Sequence, residues 1–243
     1  MMRNLFYLLT CCLFFATGCT APYYIPSSQH IPIIRKKGDL KLAGNLSLKG
    51  PDIHAAYAPA KGLAVRGTYS QRFGTTLENY NSYNHLVGEL AIGRFSELGN
   101  NWYYETYIGY GRGRALGEVT SDIGCNCNMP NFCQCNLTEE SLYHKGFLQG
   151  NVSWAKNTME VGIAGKFSFV NMERTDKTNT GQISEEDLRN IFFEPGAVFR
   201  VGSEKVKFSI QLGLSIGLSE ANIVHNPITG AIGLQYSPFG KTP

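Results

Sequence analysis

Four cysteines in the middle of the chain form two Cys-x-Cys pairs separated by five residues: Cys125, Cys127, Cys133 and Cys135. An even number of cysteines in an exported protein predicts disulfide bonds, and a tetrathiolate zinc site is the alternative. Zinc sites commonly have about two to four residues between paired cysteines, so the tighter spacing here favours disulfides. A bond within one Cys-x-Cys pair is strained, which favours bonds that cross the loop.

A fifth cysteine, Cys19, follows an export signal. Arg3 precedes an apolar run from Leu5 to Ala16, and small residues lead into the cysteine. This order resembles a bacterial lipoprotein signal, which implies cleavage before Cys19 and its acylation with palmitate or a similar chain. An ordinary secretory signal is the alternative, and both export the chain. A retained transmembrane helix is disfavoured because the run is too short to span a bilayer.

An acidic segment from Asp176 to Asp187 approximates an EF-hand loop, with Asp first, Gly181 sixth and an acid twelfth. Threonines at the third and fifth positions leave few carboxylates for calcium. The flanks also have strand periodicity. We therefore expect one turn of helix, begun by Ser184, in preference to a calcium site.

The histidines are scattered, without the spacing of a metal site. His85 and His144 are the two that could lie near an outer rim, where a lipid-modifying enzyme would need a Ser/His or Asp/His pair. Such an enzyme is one hypothesis for this chain. The composition disfavours nucleic acid as a partner, because the formal net charge is only +3 and no long basic run is present.

The elements that would position these residues are strands. In the segment 204–217, apolar residues occupy every second position from Val206 to Ile216, which indicates a strand with one apolar face. Its length matches the roughly 9–11 residues that a tilted strand needs to cross a bilayer. Similar segments repeat along the chain, with tight turns alternating with longer loops. The sequence predicts an all-β fold, an antiparallel up-and-down membrane barrel of about ten strands (eight to ten).

Three regions follow from this prediction: a signal peptide at 1–18, a lipidated, proline-rich tether at 19–37, and the barrel at 38–243. Long external loops are expected at 72–84, 115–141 and 171–190.

The polar face of the predicted strands contains small residues and charges of both signs. A narrow barrel would place these side chains in its lumen, where they could pair with one another. The predicted lumen charges are Lys41, Arg66, Glu89, Glu105, Glu160, Lys166, Glu194, Arg200 and Lys207. A soluble barrel that carries an apolar ligand would have the opposite orientation, with Phe208, Leu212 and Ile163 inside.

Several short patterns resemble those of uncharacterised Bacteroidota lipoproteins that are thought to carry an outer-membrane-type barrel. They are Gly38–Gly44, Ala55–Ala58, Gly62–Val65 and Tyr107–Gly111. The resemblance covers nearly all of the mature chain, and it implies a barrel in the bacterial outer membrane without implying any catalytic residue.

The leading hypothesis is therefore a non-enzymatic, monomeric outer-membrane lipoprotein without a cofactor, which has a structural or surface-binding role through its external loops. Its partners would be outer-membrane lipid and lipopolysaccharide or an extracellular ligand. Arg112 and Arg114, near the outer end of a strand, could contact lipopolysaccharide phosphates or an acidic solute, although the favoured interpretation is that they are ordinary arginines of a loop or the lumen. The alternatives are the periplasmic carrier of an apolar ligand and the lipid-modifying enzyme.

Overall fold

The computed structural model describes residues 24–47, 50–76, 81–121, 135–156, 158–178, 183–219, 223 and 225–239. Within these ranges the secondary structure consists of strands joined by turns and extended segments. No helix in the described part of the chain is both long and apolar enough to cross a membrane.

The strands are β1 Leu40–Ser47, β2 Gly50–Ala60, β3 Leu63–Thr76, β4 Asn81–Gly99, β5 Trp102–Ser121, β6 Cys135–Lys156, β7 Met159–Thr178, β8 Ile183–Gly202, β9 Val206–Leu214, β10 Ile216–Gly217 and β11 Ile228–Tyr236. Both β9 and β10 pair with β8, on either side of Ser215. They are two segments of one barrel strand, so the barrel has ten strands.

The sheet closes on itself. Each strand pairs antiparallel with its neighbour in the chain, and β11 pairs both with β9 and with β1, where Ile232 lies opposite Leu46. Closure removes the unpaired edges that an open sheet would have. This topology confirms the predicted antiparallel up-and-down barrel.

The apolar side chains of the barrel point outward. Ile163 and Leu212 are 61% and 65% exposed, whereas Glu160 and Lys207 are buried on the opposite face of the same strands. This orientation contradicts the soluble-carrier alternative, which requires the apolar side chains in a closed interior. An exterior of exposed apolar side chains is the surface of a barrel that spans a membrane.

The two ends of the barrel differ. We call the end with the short connections β2–β3, β4–β5, β6–β7 and β8–β9 the turn end, and the opposite end the loop end. At the turn end, Asn100 and Asn101 have φ values of 53° and 67°, which match the left-handed positions of a type I′ hairpin turn.

The apolar belt has the height of a bilayer. On β5 its outward residues begin at Trp102 and end at Tyr110, and the register aligns these two positions with Trp154 and Gly146 of β6. Nine tilted residues span about 20–25 Å, close to the height of about 25 Å of outer-membrane barrels.

Strands β5 to β8 continue beyond this belt at the loop end. The loops predicted at 115–141 and 171–190 are wrong over much of their length, because β5 pairs with β6 as far as Ser121 opposite Cys135, and β7 pairs with β8 as far as Lys177 opposite Ile183. The loop predicted at 72–84 is also shorter, since β3 ends at Thr76 and β4 begins at Asn81. We call the part of β5–β8 above the belt the sheet extension.

Candidate functional site

Residues 24–35 lie inside the barrel, and we call them the luminal segment. Every residue from Tyr24 to Ile34 is buried. At the loop end Tyr24 bridges to His225, and the backbone N–H of Asn226 donates to the Tyr24 carbonyl (3.1 Å). At the turn end, the N–H of Gly38 donates to the Ala58 carbonyl (2.8 Å) before β1 begins. The segment therefore passes through the lumen from the loop end to the turn end.

This location differs from the tether that the sequence predicts at 19–37. Pro26 and Pro32 lack N–H groups and prevent helix, as expected, but the extended chain lies among the strands instead of outside them. Side chains of the barrel pair with its backbone. Arg66 donates to the His30 carbonyl (2.6 Å), and Arg200 donates to the Ile31 carbonyl (2.6 Å). These bonds satisfy backbone groups that β-pairing would otherwise satisfy.

The luminal segment also has apolar contacts. Ile34 packs in a cluster with Phe95 and Tyr107, whereas Ile31 and Ile33 belong to a second cluster near the turn end. Burying these isoleucines stabilises the segment in the lumen by roughly 1.5–3 kcal/mol each, before the entropy of ordering is subtracted.

A cluster of charges lies around the loop-end half of the luminal segment. Lys166 contacts Glu194 (2.8 Å) and Glu89 (3.8 Å), and Lys145 contacts Glu89 as well. All four side chains are almost completely buried. We call them the central ion cluster. It contains two carboxylates and two ammonium groups, so its charges balance.

The luminal segment adds two hydroxyl groups to the central ion cluster. The Tyr24 hydroxyl donates to Glu194 Oε1 (2.6 Å), and the Ser27 hydroxyl donates to Glu89 Oε1 (2.5 Å). Such bonds to ionised acceptors are stronger than bonds between neutral groups. The cluster therefore holds the segment as well as joining strands β4, β6, β7 and β8.

A second cluster lies at the turn end around Glu160. This carboxylate contacts Arg35 of the luminal segment (2.6 Å), Arg200 (3.5 Å) and Lys207 (3.8 Å). Glu160 and Arg200 are fully buried, and Arg35 is partly exposed. The Glu160 carboxylate therefore joins the luminal segment, at the turn end, to strands β8 and β9.

The structure places all nine of the predicted lumen charges in the buried interior. Six of them belong to the two ion clusters. Arg66 binds the luminal segment, and Glu105 accepts a hydrogen bond from the Ile34 N–H (2.8 Å). Lys41 lies near Asp39 (3.5 Å) at the turn end.

Sequence reasoning missed Lys145 and the luminal segment itself. Lys145 lies on the same face of β6 as Gln149 and Asn151, so period-two alternation was the signal that could have identified it. The signal in the segment was its isoleucines at 25, 31, 33 and 34, which are more apolar than a solvated tether requires.

The two histidines considered for an enzyme lie on opposite faces of the barrel wall. His85 is buried inside and pairs with the Tyr143 hydroxyl (2.8 Å), whereas His144 is exposed on the outside and pairs with the Tyr110 hydroxyl. The structure does not bring them together. A third histidine, His54, contacts the Ser28 hydroxyl of the luminal segment (3.0 Å).

The glycines of the Gly109-Tyr-Gly-Arg-Gly-Arg114 pattern make room for large inward side chains. Gly109, Gly111 and Gly113 face the lumen. Each lies opposite a residue of β6 with a large inward side chain, and these partners are Phe147, Lys145 and Tyr143, respectively. A Cβ atom added at Gly113 would lie 2.1 Å from the Tyr143 ring. The pattern thus belongs to the packing of the lumen.

The candidate metal and modification sites lie mostly outside the described residues. Cys19, Cys125, Cys127 and Cys133 are all outside, and Cys135 is the first residue of β6. Lipidation, disulfide bonds and a zinc site therefore stay predictions.

Asp176 and Asp187 lie on β7 and β8, so these residues form part of a strand pair instead of the predicted turn of helix. Asp176 pairs with Arg174 (2.8 Å). Within the described ranges, no group of three or more His, Cys, Asp or Glu side chains could hold a metal ion. Residues 179–182, inside the proposed calcium loop, are outside those ranges.

No family model matches the chain, and the comparison with curated proteins gives no match. Solved barrels are similar to it only at low sequence identity. They include the translocator domain of the autotransporter NalP from Neisseria meningitidis, at 12% identity, with 82% of this chain and 86% of that chain covered and a TM-score of 0.47. The CymD monoaromatic hydrocarbon channel is 9% identical, with 93% and 75% covered and a TM-score of 0.41.

Proposed function

We propose that this protein is a non-enzymatic outer-membrane lipoprotein whose barrel is closed by its own luminal segment and whose sheet extension is a binding surface outside the cell. The observation that carries the proposal is the combination of an apolar belt around the barrel and a lumen filled by residues 24–35. The belt supports insertion in a membrane, and the filled lumen argues against a diffusion pore.

The external role follows from the size and polarity of the sheet extension. Four adjacent strands rise above the belt, with exposed acidic residues such as Glu173, Glu185 and Asp187 on their outer face. Arg174 of β7 links the neighbouring strands of the extension, because it contacts Glu139 of β6 (3.4 Å) and Glu186 of β8 (4.0 Å). A paired, ion-linked sheet is more rigid than a loop, so it could present a fixed surface to a partner.

The direction of the luminal segment bears on the position of the lipid. Outer-membrane barrels have short turns on the periplasmic side, so the loop end is expected to face outward. The chain enters the lumen from the loop end, and Cys19 precedes Tyr24 by only five residues. Five residues reach at most about 18 Å. We therefore place the acylated Cys19 on the loop side, which would put its lipid in the outer leaflet.

Epitope tags in intact cells test this topology. We expect a tag inserted after residue 128 and a tag inserted after Ala21 to be accessible to antibody without permeabilisation. A tag between Glu204 and Lys205, in the β8–β9 turn, is the matched control and should need permeabilisation. An accessible turn-end tag together with a hidden loop-end tag would overturn the proposed orientation.

Metabolic labelling tests the lipoprotein part. Radioactive palmitate should be incorporated by the wild type and lost in Cys19→Ser, while the barrel of the variant still migrates anomalously before heating. Equal labelling of both proteins would contradict acylation at Cys19. The non-enzymatic part predicts that purified protein hydrolyses phospholipid and lipopolysaccharide acyl chains no faster than a buffer control.

A further inference from the structure

The outer wall of the barrel has an apolar furrow across strands β2 to β5. Two adjoining cavities of about 700 and 490 Å³ form it, and they share Ala55, Gly67, Leu90 and Tyr110. These volumes lie in the range of ligand sites, roughly 300–1,000 Å³.

Small outward residues create the furrow. Ala55 and Gly67 lie opposite each other on β2 and β3, and Gly88 lies opposite Tyr69 on β3 and β4. A Cβ atom added at Gly88 would meet no atom within 4 Å, so the space over this glycine is open. Larger side chains such as Ile53 and Leu90 line the furrow, which makes it a groove of the right chemistry for an acyl chain.

A cation lies at the loop-end margin of the furrow. Arg112 lines the smaller cavity and lies opposite Gly88. Within the described part of the chain, Arg112 has no carboxylate at ion-pair distance, in contrast to Arg114, which pairs with Glu140 (2.8 Å). An arginine directly above an apolar groove fits a lipid whose phosphate follows its acyl chain.

Arg112 belongs to a polar row that crosses four strands directly above the belt. The register aligns Arg112 of β5 with His144 of β6, Asn171 of β7 and Arg189 of β8. All four side chains are exposed, and Arg189 donates to Asn171 (3.2 Å). Three strand spacings of about 4.8 Å separate β5 from β8, so the Cα atoms of the two arginines lie roughly 14 Å apart. This width exceeds a single phosphate and matches a headgroup with phosphates at both ends of a disaccharide.

We propose that the furrow and the polar row bind the lipid A portion of lipopolysaccharide. One acyl chain of lipid A would lie in the furrow, and the two phosphates of its disaccharide would bind Arg112 and Arg189. This inference rests on the proposed function, because the loop end must face the outer leaflet where that glycolipid lies. His144 and Asn171 provide hydrogen-bonding groups for the sugar between the two phosphates.

Binding to purified lipid A in detergent micelles tests the proposal without depending on orientation in the cell. Native mass spectrometry of the full chain should detect a one-to-one complex. We expect Arg112→Gln to weaken it at least about tenfold, because a charge-assisted hydrogen bond is lost. Gly88→Leu should weaken it similarly by filling the furrow.

The control is Gly150→Leu, which adds the same side chain to another open, outward glycine of the belt. It should bind lipid A as the wild type does. Wild-type affinity in both Arg112→Gln and Gly88→Leu would overturn the site. Equal affinity for phosphatidylglycerol would overturn the choice of a phosphorylated glycolipid. Unfolded variants are recognised by the loss of heat-modifiable migration, and Gly88→Ala then replaces Gly88→Leu, with an expected smaller loss.

If the tags show the reverse orientation while lipid A binds in micelles as described, the proposed topology is wrong and the site is real. If the tags behave as expected while the variants bind normally, the proposed topology holds and the site is wrong. The two failures are therefore distinguishable.

Discussion

The outer and inner faces of the same strands are stabilised in different ways. Outward side chains such as Ile163 and Leu212 need only an apolar surrounding, and their neighbours are interchangeable. Inward side chains need particular partners. The Tyr24 hydroxyl donates to Glu194 across 170 positions of sequence, and the Glu105 carboxylate accepts from the backbone N–H of Ile34 across 71. The outer face therefore depends on the alternation of apolar residues, and the inner face depends on the identity of each residue.

The first way to test this difference is to remove one carboxylate from the central ion cluster. Glu89→Gln leaves Lys145 without its carboxylate and Lys166 with Glu194 alone. We expect the free energy of unfolding to fall by about 3–5 kcal/mol, because a buried charge loses its partner. The measurement is urea unfolding in micelles, followed by the fluorescence of Trp102 and Trp154. The control is Glu97→Gln at an exposed position, with an expected change within about 0.5 kcal/mol. A small loss in Glu89→Gln would show that the cluster is not essential.

The second test places a charge on the outer face. Leu148 is 51% exposed in the belt, so Leu148→Arg should destabilise the barrel in a bilayer by about 2–4 kcal/mol. His144→Arg, at the upper margin of the same strand, should cost about 0–1 kcal/mol. Unfolding in vesicles measures both variants. Equal effects at the two positions would contradict the assigned height of the belt.

The third test compares an inward and an outward glycine. Gly113→Ala should lower stability by about 1–3 kcal/mol, because its new methyl group overlaps the Tyr143 ring. Gly88→Ala should leave the free energy of unfolding unchanged or raise it by up to about 1 kcal/mol, since its new methyl group would point into open space. The same unfolding measurement applies. A stabilised Gly113→Ala variant would show that the lumen is more loosely packed than described.

The smallest loss of stability is expected at Arg35, where the luminal segment reaches the turn end. Arg35→Gln removes one of three cations around Glu160, and Arg200 and Lys207 remain there. Because Arg35 is partly exposed and the carboxylate keeps other partners, we expect a loss of only about 1 kcal/mol. A loss as large as that in Glu89→Gln would mean that Arg35 is the main attachment of the segment.

The sequence was sufficient for the barrel because period-two alternation is a local signal. It predicted the outward orientation of Phe208 and Leu212 and the alternation of tight turns with longer connections. It was not sufficient for the sheet extension, where runs such as Glu185-Glu186-Asp187 are polar on both faces and show no alternation.

The luminal segment could not be predicted from local pattern, because its stability depends on side chains that lie far away in the sequence. A proline-rich stretch excludes helix both in a solvated tether and in a filled lumen. Only the closed barrel shows that the carbonyl groups of His30 and Ile31 face Arg66 and Arg200. The contacts inside the lumen thus follow from the closed fold, whereas the apolar belt outside follows from the local alternation of apolar and polar residues.

Electrical recording in planar bilayers tests most directly whether residues 24–35 close the barrel. We expect the full-length protein to show no stable conductance steps, and a variant lacking residues 24–34 to conduct ions through the polar passage that an extended peptide leaves. Heat-modifiable migration of the deletion variant must show that its barrel is folded. Conductance of the full-length protein equal to that of the folded deletion variant would contradict the account, and so would a folded deletion variant that stays closed.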